Sequence, residues 1–249
     1  MDTSLNTTHE ILWDDIKVSR LWDFYARTLG DEYFSKSYGH QILTLCNISL
    51  NETLDVLDFG CGPGYIWDHL KKLRSCWKYS GLDFSSSSIQ ELINKTIGQD
   101  NFKQALRVTK LPTELGNAIF DVVLLLEVIE HLDDPHLDGT LSEIARVIKS
   151  GGALIITTPN QEDLSKSKKC CPECGAIFHE WQHVRSWSIS SLSEHLMQHG
   201  FSLNTAKTLD FSTTSYTPIG VYRKVKRLAK RYFRGDLGTP HLLAIYRKN

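Results

Sequence analysis

Apolar positions change their rhythm about fifty residues into this chain. Before that point Leu12, Ile16, Leu21, Trp22, Tyr25 and Leu29 recur at spacings of three or four, and Tyr38 to Ile48 continues likewise, which predicts amphipathic helices. Beyond it, short apolar runs alternate with helical stretches. Leu54–Phe59 is a strand candidate running into a glycine-dense turn, Gly60-Cys-Gly-Pro-Gly64, with a helix-like stretch following to about Leu73. Trp77–Phe84 predicts a second strand, and Ser85–Ser88 offers caps for a helix through Ile97. Ala105–Val108 predicts a third strand. Phe120–Leu126 predicts a fourth, apolar without alternation as in a strand covered on both faces. Asp133-Asp-Pro135 reads as a break before an amphipathic helix over Leu137–Ile148, which Gly151-Gly152 closes before a fifth strand, Ala153–Thr158. A helix over Ile189–His199 leads through Gly200 to a strand near Ser202–Leu209, and His241–Tyr246 predicts a last strand.

Repeated strand–helix alternation predicts an α/β fold, a doubly wound and mostly parallel sheet with helices on both faces. The expected organisation is an N-terminal helical cap over 1–50 and a main domain over 51–249. That domain carries a Cys/His-rich insertion at about 160–187 and a basic insertion at about 211–240. An apolar content of 41% suffices for a sizeable core and excludes wholesale disorder. No apolar run approaches the ~18 residues of a membrane span, and the N-terminus lacks a basic flank leading into an apolar core. The expectation is an intracellular, cytoplasmic protein. The net charge of -1 conceals an asymmetry: from Arg223 to Asn249 nine Lys/Arg face only Asp236, so a tail of +8 follows a body of -9.

The turn Asp58-Phe-Gly60-Cys61-Gly62-Pro-Gly64 sits where a strand becomes a helix, and glycines there let the backbone approach a ligand closely beside free helix N–H groups. Asp83 ends the next strand, where doubly wound folds set an acid against ribose hydroxyls. An acid at Asp58 repels a pyrophosphate but suits an amine or another cationic group, so the pattern departs from dinucleotide binding. Val56-Leu-Asp-Phe-Gly-Cys-Gly-Pro-Gly64, Gly81-Leu-Asp-Phe-Ser85, Phe120-Asp-Val-Val-Leu124 and Gly151-Gly-Ala-Leu-Ile-Ile156 resemble, in order and spacing, the motifs of class I S-adenosylmethionine-dependent methyltransferases. That resemblance implies a Rossmann-like, seven-stranded sheet whose last strand is antiparallel. It implies S-adenosyl-L-methionine as cofactor, with Gly60, Cys61 and Gly62 along its methionine moiety and Asp58 near its amino group. Asp83 and Phe84 would then flank the ribose, and Lys110 and Leu111 would lie near the adenine.

Glu127-Val-Ile-Glu130-His131 follows the fourth strand, at the edge where open α/β sheets bind ligands. If this turn is helical, the three side chains share one side and could hold a divalent cation or take a proton from a substrate hydroxyl. The alternative is that Glu127 contacts only the cofactor or a backbone amide while Glu130 and His131 hold the turn. Continued through Leu132-Asp-Asp-Pro135, the segment resembles the ubiquinone-biosynthesis O-methyltransferase type. Its Glu-x-x-Glu-His core also resembles small-RNA 2′-O-methyltransferases, in which a metal positions the ribose hydroxyl; that reading needs a downstream histidine, and His179 or His183 could supply it.

The stretch Lys169-Cys-Cys-Pro-Glu-Cys-Gly-Ala-Ile-Phe-His-Glu-Trp-Gln-His183 carries a Cys-x-x-Cys pair and two histidines four apart. Cys171, Cys174, His179 and His183 make a Cys₂His₂ set for structural zinc, with Cys170 as a spare. A redox pair, or histidines directed at substrate, are the competing readings. Aromatic residues of the cap, among them Trp13, Trp22, Phe24, Tyr25, Tyr33 and Phe34, suit either stacking on a flat substrate or packing of the cap itself. Arg223–Arg234 holds seven positive charges with an apolar stripe, which suits a solvated face, an anionic membrane surface or phosphates. The expected activity is methyl transfer to a small or lipid-linked acceptor, most simply at oxygen. The alternatives are the RNA ribose reaction and a non-catalytic cofactor-binding scaffold.

Overall fold

The computed structural model of the protein describes residues 8–28, 33–73, 75–211 and 240–249. Its centre is a seven-stranded sheet. Four parallel strands, β2 (Asp55–Phe59), β3 (Lys78–Asp83), β4 (Phe102–Arg107) and β5 (Phe120–Leu126), are joined by β6 (Ile148–Pro159), which pairs in parallel with β5. The strand order is β4-β3-β2-β5-β6-β10-β9, where β9 spans Phe201–Leu209 and β10 spans His241–Lys248. β10 runs antiparallel to both of its neighbours, as expected of the last strand.

Strand β5 shows why its sequence lacks alternation. Val123 and Leu125 face one core, packed by Leu137, Leu141 and Ile144 of α5 (Asp134–Val147) and by Leu192 and Leu196 of α6 (Ile189–Gln198). Val122, Leu124 and Leu126 face the other, packed by Ile42 and Leu43 of α2 (Phe34–Leu45), Ile66, Trp67 and Leu70 of α3 (Tyr65–Lys72), and Ile89 and Leu92 of α4 (Ser86–Thr96). Both faces must therefore be apolar.

Three boundaries differ from expectation. Helix α5 begins at Asp134, because Asp133 caps it by accepting from the amide of His136 and Pro135 costs nothing in a first helical turn. Strand β6 begins at Ile148 and runs through Gly151 and Gly152, with a register shift opposite Phe120–Val122. Strand β4 lies three residues earlier than the apolar run alone suggests at its start.

The insertion adds a small sheet that periodicity does not reveal. β7 (Lys168–Cys170) and β8 (Ala176–His179) form an antiparallel hairpin, and β1 (His9–Glu10), just before the cap helix α1 (Asp15–Thr28), pairs in parallel with β8. These strands are two to four residues long, too short for a period to register. The segment 212–239, which includes most of the expected basic insertion and all of 223–234, lies outside the described residues. Among the described residues no helix is long and apolar enough to cross a membrane.

Leu141 is fully buried between α5 and the sheet. Leu141→Ala is expected to lower stability by about 3 kcal/mol, read as a lower midpoint in urea at unchanged slope.

Candidate active site

The turn after β2 is held in a left-handed conformation at three glycines: Gly60 (φ +82°), Gly62 (φ +51°) and Gly64 (φ +83°). The amides of Gly60 and Cys61 both donate to the carbonyl of Leu82, at 2.7 and 3.1 Å. The carboxylate of Asp83 accepts from the amides of Gly62 and Ser85, both at 2.8 Å. Asp83 thus fastens the turn to the start of α4. A methyl on Gly60 would meet Val128 Cγ2 at 2.5 Å, whereas one on Gly62 would meet nothing within 4 Å, so the backbone at Gly62 borders open space.

Beneath the turn, Asp58 is buried and accepts from the hydroxyl of Tyr79 at 2.6 Å. Burial pushes its carboxyl up to about 7, the Tyr79 hydrogen bond opposing and the nearby Asp83 adding to the effect. Burial also raises Asp83, against the amides it accepts from. Phe84 stands half-exposed beside it. Cys61 is buried, and its thiol is driven well up by burial and by the two acids. Lys110 is exposed, while Leu111 packs into the core near Gly139 of α5.

After β5 the backbone breaks. Glu127 adopts φ +51°, and only Ile129–His131 form a short 3₁₀ turn, so Glu127 is not part of one helical face with Glu130 and His131. The three nevertheless lie close together in a desolvated group. Thr158 donates to Glu130 Oε2 at 3.0 Å, and His131 Nε2 lies 3.8 Å from Glu130 Oε1. Glu127 Oε1, Glu130 Oε1 and His131 Nδ1 are buried and have no hydrogen-bond partner among the described residues. Burial pushes Glu127 up to about 8 and Glu130 well above the carboxylate range, and it drives His131 down to about 3.

The insertion brings a second set of groups to this place. The ring of His183 packs 4.9 Å from His131 and stacks on His179 at 4.6 Å. His183 Nδ1 lies 2.5 Å from Glu162 Oε2, and His179 Nε2 lies 3.6 Å from Glu162 Oε1. His179 Nδ1 accepts from the amides of Trp181 and His183, so in its neutral form His179 carries its proton on Nε2. Burial raises Glu162, but the hydrogen bond from His183 and the neighbouring histidines outweigh it and leave the carboxyl below its ordinary range. An ionised Glu162 fixes the proton of His183 on Nδ1 and leaves Nε2 with an available lone pair. Glu162 gave no signal in the sequence, because nothing in its spacing ties it to the cysteine–histidine stretch.

The expected Cys₂His₂ set is not brought together. Cys171 and Cys174 form a tight knuckle in the β7–β8 turn, where the amides of Cys174 and Glu173 pull the Cys171 thiol down. His179 stands at the opposite end of β8, three residues from Ala176, whose carbonyl accepts from Cys171. Three residues of strand span about 10 Å. The histidines group instead with carboxylates, as Glu130–His131–His183 and Glu162–His179–His183.

The cap aromatics hold this insertion down. Trp22 packs edge-on against His131 at 4.9 Å and donates from Nε1 to the buried Gln182, which itself donates to the His131 carbonyl. Tyr25 donates to the Glu180 carbonyl and packs on Trp181, and Trp13 packs on Phe178.

A family model described as a methyltransferase domain matches residues 31–206, more than half of the chain. Ubiquinone biosynthesis O-methyltransferases are similar in sequence: that of Maricaulis maris is 34% identical over 116 residues, covering 44% of this chain and 42% of its own length. The mitochondrial enzyme of Dictyostelium discoideum is 30% identical over 124 residues, covering 46% and 38%. The chain thus spans less than half the length of these relatives. Among solved structures, a Haloferax volcanii chain determined in complex with the Trm112 methyltransferase activator matches with a TM-score of 0.63 at 22% identity, covering 95% of this chain and 99% of that one. The Burkholderia thailandensis 1,6-didemethyltoxoflavin-N1-methyltransferase matches with a TM-score of 0.64 at 15% identity, covering 97% and 93%. With its ordered motifs and sheet, the chain belongs to the class I S-adenosylmethionine-dependent methyltransferases.

Gly60→Ala forces a methyl against Val128 at an unfavourable φ. The variant is expected to lose more than about 1 kcal/mol of stability, seen as a lower melting temperature, with Val128 displaced in its crystal structure.

Proposed function

We propose that the protein transfers a methyl group from S-adenosylmethionine to a hydroxyl of a small or lipid-linked acceptor, and that the Glu162–His183 pair removes the hydroxyl proton. The juxtaposition of this pair with Glu130 and His131 carries the reading. The ~30% identity to ubiquinone biosynthesis O-methyltransferases supports oxygen as the target.

In this reading the backbone at Gly60, Cys61 and Gly62 lies along the methionine moiety, Asp58 pairs with its amino group, Asp83 and Phe84 meet the ribose, and Lys110 and Leu111 flank the adenine side. The acceptor oxygen attacks the sulfonium methyl in line as the carbon–sulfur bond breaks, leaving a neutral thioether. Alignment supplies most of the acceleration. Burial makes His131 too weak a base near neutrality, and it keeps Glu127 and Glu130 close to their protonated forms. His183 has an orienting carboxylate on Nδ1 and Nε2 left to accept the proton.

A second reading rests on the unpartnered atoms of Glu130 and His131. With His183, they offer a donor set that fits a divalent cation, and Glu162 would orient His183 as an outer carboxylate. Such a cation would lower the pKa of a hydroxyl bound to it, which also serves a ribose hydroxyl of RNA. The cysteine knuckle is then a separate feature, without the two histidines.

Two measurements test these readings. Asp58 must be ionised to hold a cationic amine, and its carboxyl stands at about 7 before binding. Affinity for S-adenosylmethionine in calorimetry should therefore tighten as pH rises from 6 to 8. Asp58→Asn should flatten that dependence, and a wild-type affinity that does not vary with pH would sink the role of Asp58. Labelled methyl transfer to metabolite, lipid and RNA pools would identify the acceptor. On that acceptor His183→Ala should lower kcat by about 10²–10⁴-fold with cofactor affinity unchanged. Loss of activity on chelation, restored by Mg²⁺ or Mn²⁺, would favour the cation reading, and insensitivity would favour the base.

A further inference from the structure

On the sheet face covered by α5 and α6, His195 and His199 lie one turn apart at the end of α6 and face Asp138 of α5. Their Nε2 atoms stand 3.5 and 3.4 Å from the same oxygen, Asp138 Oδ1, and the rings are 5.7 Å apart. One donor atom from each residue lies within 4.8 Å of the others. The Nε2 atom of His195 is buried with no hydrogen-bond partner among the described residues, and it faces this cluster. Its ring is steadied by the indole of Trp187, edge-on at 5.8 Å.

These separations are too long for strong hydrogen bonds. The two histidine–aspartate separations are close to the spacing of ligands around a tetrahedral ion, where bonds of about 2.0–2.1 Å give donor separations of about 3.3 Å. Two imidazoles and a carboxylate favour zinc and its transition-metal neighbours over magnesium or calcium. Exposure of Asp138 leaves room for water as a fourth ligand.

The geometry points to a structural transition-metal site, formed by Asp138, His195 and His199, that cross-links α5 to α6. Its placement gives it a second consequence. Trp187, packed on His195, bridges Asn160 through the backbone and accepts from the Gln161 amide at 2.7 Å, one residue before Glu162. Arg185, two residues before Trp187, donates to the Leu132 carbonyl and to Asp134 at the start of α5. A metal joining the two helices therefore braces the segment that carries Glu162 and His183. The site does not depend on the identity of the acceptor or on the proposed chemistry.

Titration of untagged, metal-free protein with Zn²⁺, and with Co²⁺ for its visible spectrum, tests this. Wild type should bind Zn²⁺ at this site and gain about 5 °C in melting temperature at hundredfold excess over the dissociation constant. His199→Ala and Asp138→Asn should each weaken that binding at least tenfold and remove the thermal gain, whereas His183→Ala, which alters only the other histidine cluster, should keep both. Tetrahedral-type Co²⁺ absorption should disappear with His199→Ala. Absence of Zn²⁺ binding by wild type, or full binding by correctly folded His199→Ala, would overturn the site. Loss of binding only in His183→Ala would reassign the metal to the cluster beside Glu162.

Discussion

The left-handed turn at Gly60–Gly64 is the constraint on which the rest of the site depends. Its three positive φ angles favour glycine, and a side chain would collide with Val128 at Gly60 and with Leu92 at Gly64. Asp83 and the Leu82 carbonyl hold it against β3 and α4. Because Val128 packs onto Gly60, the same close approach fixes the strand end from which Glu127, Glu130 and His131 project. One glycine contact thus connects the glycine turn with the acidic group.

That acidic group is costly in isolation. Buried carboxyl and imidazole atoms without partners carry a desolvation penalty, and all three residues respond by favouring their neutral forms. The insertion closes over them: the Val184 amide donates to the Glu130 carbonyl, Gln182 donates to that of His131, and Arg185 donates to that of Leu132. Trp22, Tyr25 and Trp13 of the N-terminal segment then clamp the insertion. The cap aromatics secure the elements that shape the site, and Trp22 also touches it directly through His131.

Much of the fold was legible. The uninterrupted apolar run of β5 announced a strand buried on both faces, and the serines before α4 announced its cap, which the side chain of Ser85 provides. The glycine turn was legible too: its three glycines take positive φ, and Asp83 at the end of the next strand accepts from the amide of Gly62. The start of α5 was obscured because Pro135 breaks a helix interior but suits a first turn. The hairpin of β7 and β8 was obscured because strands this short show no period.

The cysteine–histidine stretch separates the two kinds of information. Sequence alone determined that two cysteines form a knuckle and that two histidines lie four residues apart, because both depend on local spacing. Only the tertiary structure decided their partners. An extended β8 carries His179 about 10 Å from the knuckle, and chain segments remote in sequence deliver Glu162 to His183 and His131 to the same cluster. Asp138, His195 and His199 likewise meet only because α5 and α6 pack side by side. Spacing along a chain fixes which atoms can meet within one element; meeting across elements depends on which faces the core buries.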